Sequence, residues 1–129
     1  MISKVTILNV IFDRKVSDIF KHVASTHSNS NLLKTHLKLT RKQYYTRMSL
    51  LIKTGLVKKE NGSYLLTALG KVIYSAQLNF EAKFESALDN YWKLKAIDSL
   101  GSFEERNNII SALINNEEIK SVLLYEESN

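Results

Sequence analysis

The side chains most able to do chemistry are gathered between residues 34 and 59. They are Lys34, Lys38, Thr40, Arg41, Lys42, Gln43, Tyr45, Thr46, Arg47, Lys53, Lys58 and Lys59. Most are cations or hydrogen-bond donors, and none is an acid or a strong nucleophile. An arginine donates through a planar fork, a glutamine amide donates and accepts side by side, and a lysine is a point charge. Such a set suits non-covalent recognition of an anionic partner. Other chemistries find little support. The chain has no cysteine, which removes disulfides, thiolate metal sites and cysteine nucleophiles. His22, His27 and His36 lack the i, i+4 spacing of helical metal ligands, so solvated or capping roles are expected. Glu104, Glu105, Glu117 and Glu118 fall at expected helix N-termini, where the helix dipole accounts for carboxylates. No phosphate loop, nucleophile elbow or Ser/His/Asp spacing occurs. Neither an enzyme nor a cofactor or metal is expected.

Charge narrows the choice of partner. The 129 residues carry a net charge of +5, from 18 basic and 13 acidic residues. Residues 1–76 hold 13 Lys/Arg and 3 Asp/Glu, hence +10, and residues 77–129 hold 5 and 10, hence −5. A segment as basic as the first suits a polyanion, either nucleic acid or an anionic membrane surface; a solvated lysine-rich surface is the bland alternative. At 44% hydrophobic residues the chain can close one core, or one core plus an appendage. The apolar run Val5 to Phe12, broken by Thr6 and Asn9, is too short to cross a bilayer, and no small-residue cleavage site follows. A soluble cytoplasmic protein is expected, with no membrane partner.

The positioning elements follow from periodicity and punctuation. Proline is absent, so Gly55, Gly62, Gly70 and Gly101 divide the chain. Val5 to Phe12 reads equally as strand or helix. From Asp13, a possible N-cap, Val16, Ile19, Phe20 and Val23 make one helical stripe. A short helix over about 30–37 places Leu32, Leu33 and Leu37 inward, and Lys38-Leu39 make a tight turn. Thr40-Arg41-Lys42-Gln43 is a capping box. It opens a helix to Thr54, with Gly55 ending it in the left-handed region. On that helix Tyr44, Met48, Leu51 and Ile52 share the inward face, while Gln43, Thr46, Arg47 and Leu50 share another, flanked by Arg41, Lys42 and Lys53. Asn61-Gly62 between two strand-like runs signals a hairpin. Thr67 caps a helix expected to run unbroken to about Ser99, roughly 45 Å long. Its seam is Leu69, Ile73, Ala76, Phe80, Phe84, Ala87, Tyr91 and Leu94. Ser102-Phe103-Glu104-Glu105 opens a helix burying Ile109, Ile110, Leu113 and Ile114, and a last helix spans about 117–125. The expected class is mainly α with a small β-hairpin (α+β).

Helix, tight turn, capped basic helix and hairpin together resemble a family. The stretch from Leu39 through Arg47 to Leu51-Ile52-Lys53-Thr54-Gly55-Leu56-Val57 is similar to the recognition-helix signature of winged helix-turn-helix transcriptional regulators. Lys58 to Leu66 resembles the wing, and Thr67-Ala68-Leu69-Gly70 resembles the usual entry to the following helix. Over about residues 13–98 the chain looks most like small archaeal winged-helix DNA-binding proteins, although Tyr44 and Tyr45 stand where small residues are usual. The resemblance implies double-stranded DNA as partner. It implies a DNA-binding region over 1–66 and a long helix with C-terminal helices over 67–129 as a dimerisation region.

The residues themselves fit that implication. Arg47 can donate two hydrogen bonds to guanine, and Gln43 can pair with adenine. Arg41 and Lys42 occupy a first turn whose dipole disfavours cations. Lys34, Lys38, Lys58 and Lys59 suit phosphates, with Lys58 and Lys59 on alternate faces of a strand. Tyr44 is expected in the core; Tyr45 either touches a phosphate or covers the hydrophobic seam. Phe80, Phe84, Tyr91, Trp92 and Leu94 exceed what a small body can cover, so they need a partner: the C-terminal helices folded back on them, a second copy, or both, with a homodimer expected. An alternative remains: a winged-helix module in which the basic face binds an acidic protein. Nothing in the sequence points to a small-molecule effector.

Overall fold

A computed structural model describes residues 3–25, 37–99 and 103–125. Among these the chain is mostly helical, with one two-stranded antiparallel sheet, an α+β arrangement. The elements are helices α1 (Lys4–Phe12), α2 (Arg14–Ser25) and α3 (Arg41–Lys53), strands β1 (Val57–Glu60) and β2 (Ser63–Leu66), and helices α4 (Ala68–Asp89), α5 (Tyr91–Ile97), α6 (Phe103–Leu113) and α7 (Glu117–Tyr125). The expected short helix over 30–37, the Ser102 cap and Gly101 lie outside the described residues, apart from Leu37.

The ambiguous run at the start is a helix. Ser3 Oγ accepts from the Thr6 N–H at 3.1 Å and caps α1. Asp13 caps α2, its carboxylate accepting from the Val16 N–H at 3.1 Å. The α2 stripe of Val16, Ile19, Phe20 and Val23 is buried as its spacing predicts. Helix α2 packs on α1, α3 and β2. Around it a core forms with Tyr44, Met48 and Leu51 of α3 and Leu56, Val57 and Tyr64 of the hairpin. Ile52, expected inside, is 41% exposed. With Tyr44, Met48 and Leu51 already filling the inward stripe, Ile52 falls at its edge.

The expected unbroken helix to Ser99 is two helices. Helix α4 has 22 residues and α5 has 7, separated at Asn90 (φ −103°, ψ 17°). The Asn90 side-chain amide donates to the Ser86 carbonyl at 2.8 Å. Its backbone N–H reaches the Ser86 and Ala87 carbonyls at 3.3 and 3.2 Å. Asparagine competes in this way with the helical ladder, a local effect that apolar spacing does not report.

The chain forms two compact units, residues 1–78 and 79–129. This division lies inside α4, twelve residues beyond the 66/67 boundary read from the sequence. The reason is packing: Ile73 and Tyr74 lie on the first core. Gln77 is buried and donates to the Ile11 carbonyl at 3.2 Å and the Ser17 hydroxyl at 2.7 Å. Because residues 77 and 78 are uncharged, the units carry the same +10 and −5 as the two halves of the sequence. The second unit closes on a small core of Ile97, Ile110 and Ile114, lined by Leu94, Leu113, Ile119 and Leu123.

Candidate functional site

Helix α3 is set by its ends. The Thr40 hydroxyl accepts from the Gln43 N–H at 3.1 Å, and Gln43 Oε1 accepts from the Thr40 N–H at 3.0 Å, so the capping box is complete. Lys38 precedes it in the left-handed region (φ 56°). Gly55 follows at φ 85°, a conformation glycine adopts without cost. Thr67 then fastens this end of α3 to α4. Its hydroxyl donates to the Gly55 carbonyl, its N–H donates to the Leu56 carbonyl, and Gly70 N–H donates to the Thr67 hydroxyl. The approach is so close that a Cβ at Gly70 would lie 2.0 Å from the Leu56 oxygen. That contact explains the Thr67-x-x-Gly70 spacing.

With Tyr44, Met48 and Leu51 inward, α3 turns Arg41, Lys42, Tyr45, Thr46, Ser49, Leu50 and Lys53 to solvent. Lys38 is also exposed, and Lys34 lies outside the described residues, as do His27 and His36. Gln43 and Arg47 are half-buried rather than projecting. The Gln43 oxygen is held in the capping box, and Arg47 Nη1 donates to the Gln43 backbone carbonyl at 3.1 Å. One Arg47 Nη1 donor and the Gln43 oxygen are thus engaged within the helix, which leaves the other Arg47 donors and the Gln43 amide N–H groups to meet a base edge.

The hairpin turns through Asn61 (φ 52°) and Gly62 (φ 80°), and pairs Lys58 with Leu65, Lys59 with Tyr64 and Glu60 with Ser63. Positive φ at both turn residues is what a two-residue hairpin loop of this twist demands. Lys58 and Lys59 point to opposite faces, as alternation predicts. Lys58 pairs with Glu60 at 3.3 Å. It also lines a recess of about 440 Å³ with Leu65, Lys71 and Tyr74. Lys71 was not singled out in the sequence; its signal is only that it adds to the basic count of the first unit. Lys59 lies over the Tyr64 ring, 5.6 Å from its centre.

Lys59 is one end of a chain of contacts that links hairpin to helix. Tyr64 meets Tyr44 edge to face at 6.4 Å, Tyr44 meets Tyr45 edge to face at 5.0 Å, and the Arg41 guanidinium lies 5.8 Å from the Tyr45 centre. Burial, and after it the neighbouring Tyr64 and Tyr45, raise Tyr44 above the ordinary tyrosine range. Burial and Tyr45 raise Tyr64 likewise. Tyr64 had no role in the sequence reading, because a cross-strand partner on a neighbouring helix leaves no spacing signal.

The first unit carries 13 Lys/Arg against three acids, Asp13, Asp18 and Glu60, and Glu60 is paired with Lys58.

The second unit differs. Phe84 and Trp92 are 54% and 76% exposed, with Phe80 and Tyr91 close to half exposed. Phe80 stacks on Phe84 at 5.8 Å, Tyr91 meets Trp92 at 5.1 Å, and Lys95 lies over both of the latter rings. Leu94 departs from this expected set: it packs against the small core. It lines an apolar recess of about 350 Å³ with Ala87, Ile119, Val122 and Leu123. Among the described residues no group of three or more His, Asp or Glu is placed to hold a metal ion, and no helix is long and apolar enough to cross a membrane. No protein-family model, no curated protein and no solved structure matches the chain.

Proposed function

We propose that the first unit is a winged helix-turn-helix that binds double-stranded DNA and regulates transcription. Helix α3 enters the major groove and the β1–β2 hairpin lies on the flanking backbone. The observation that carries this reading is the outward face of α3. Arg41, Lys42 and Lys53 are exposed on a helix with no acidic residue, next to a hairpin carrying Lys58 and Lys59. Arg41, Lys42, Lys53 and the hairpin lysines contact phosphates, and Arg47 reads a base through its remaining donors. Two copies associate through Phe80, Phe84, Tyr91 and Trp92, presenting two helices to half-sites about 34 Å apart. A cytoplasmic location goes with this role.

The internal bonds of Gln43 and Arg47 favour a second reading, a module whose basic face binds an acidic protein. Titration of a random duplex at rising salt separates the two. DNA binding gives a log–log slope of about −0.9 for each phosphate neutralised. Absence of duplex binding at low salt overturns the DNA reading. With a selected site, Arg47→Ala costs ~1–3 kcal/mol at one base position, whereas Lys58→Ala with Lys59→Ala weakens all sequences alike.

A further inference from the structure

Tyr45 has a feature that an intact duplex does not use. The residue is 38% exposed, its ring meets Tyr44 edge to face, and the Arg41 guanidinium lies over it, 5.8 Å from its centre. Lys42 is exposed on the same helix. The helix therefore presents an exposed aromatic–guanidinium pair with a further cation close in sequence. In a paired duplex the base faces are stacked on one another, and only base edges reach the groove. A flat, exposed ring beside a guanidinium is matched instead by the face of an unstacked base, whose flanking phosphates fall to the cations.

We propose that Tyr45, with Arg41, is a stacking platform for an unpaired nucleobase, so that this face takes single-stranded nucleic acid as well as duplex. The inference rests on the basic face of α3 being a nucleic-acid surface. Arg41 lies over one face of the ring, the base takes the other, and Arg41 and Lys42 receive the flanking phosphates.

The test compares the affinity of the full chain for an oligothymidylate of about 15 nucleotides and for a mixed-sequence duplex, by fluorescence anisotropy at low salt. Tyr45→Leu keeps apolar bulk over Tyr44 but has no ring; Tyr45→Phe keeps the ring. The expected result is a single-strand affinity about tenfold lower in Tyr45→Leu, the loss of one stacked base, a smaller change on duplex, and near-native values in Tyr45→Phe. Circular dichroism of both variants checks that α3 is formed. Wild-type binding to duplex but not to the oligothymidylate overturns the platform and leaves the duplex reading standing. So does an equal fall on both probes in Tyr45→Leu, or an equal loss in Tyr45→Phe. Binding of the oligothymidylate without duplex, lost in Tyr45→Leu, sustains the platform and overturns the duplex reading.

Discussion

The two units differ in how far they bury their large side chains. The first buries Phe20, Tyr44, Met48 and Leu51 completely, while Val5, Phe12 and Val72 stay exposed beside its charge; the second buries three isoleucines and leaves Phe80, Phe84, Tyr91 and Trp92 at the surface. The first therefore holds its outward face with a core of its own. The second has a core too small to cover its aromatic residues. Their charges differ in the same sense, +10 against −5. On the proposed reading the basic exterior of the first takes a polyanion, and the exposed rings of the second take an apolar surface.

Substitution tests that contrast at several levels. The largest effect is expected at Phe20, central to the first core. Phe20→Ala should cost ~3–5 kcal/mol in denaturant unfolding, and a loss below ~1 kcal/mol would contradict a core of this tightness. Next is Gly70→Ala, where the new methyl meets a backbone oxygen. Overpacking of this kind costs typically ~1–3 kcal/mol, seen as a lower melting temperature; an unchanged melt would show that the clasp between Leu56 and α4 yields readily. Alkaline pH is a third probe, specific to the first unit. Folding raises Tyr44 and Tyr64, so their contribution is fully present below the unfolded tyrosine value, about pH 10, and is lost as pH climbs through the raised folded values. Unfolding midpoints should fall as pH rises above about 10, and Tyr44→Phe should flatten that fall. The smallest effect is expected at Trp92. Trp92→Ala should change folding stability by less than about 0.5 kcal/mol, as for other exposed sites. If two copies associate through this ridge, the same change lowers the dimer fraction in sedimentation. A large loss of monomer stability would mean that Trp92 belongs to a core.

Much of this was legible because the signals are local. A capping box needs only Thr40 and Gln43 three residues apart. A two-residue hairpin loop needs only Asn61-Gly62, and a buried stripe needs only the spacing of Val16, Ile19, Phe20 and Val23. Each is decided by backbone hydrogen bonding or side-chain direction within a few residues. Asn90 was harder to read. Its side-chain amide bonds to the Ser86 carbonyl, and the helix breaks there although the apolar spacing continues past it.

Sequence alone determined the mainly helical class, the hairpin, the start of α3 and the uneven charge, since caps, turns and charge counts need no long-range partner. Only the tertiary structure decided that Gln77 ties the first turns of α4 to α1 and α2, that Gly70 rests on Leu56, and that Tyr45, Tyr44 and Tyr64 join Arg41 to Lys59. Gln77 with Ile11 and Ser17, Gly70 with Leu56, and Tyr64 with Tyr44 join residues far apart in the chain, and such contacts exist only once the helices have closed on a common core.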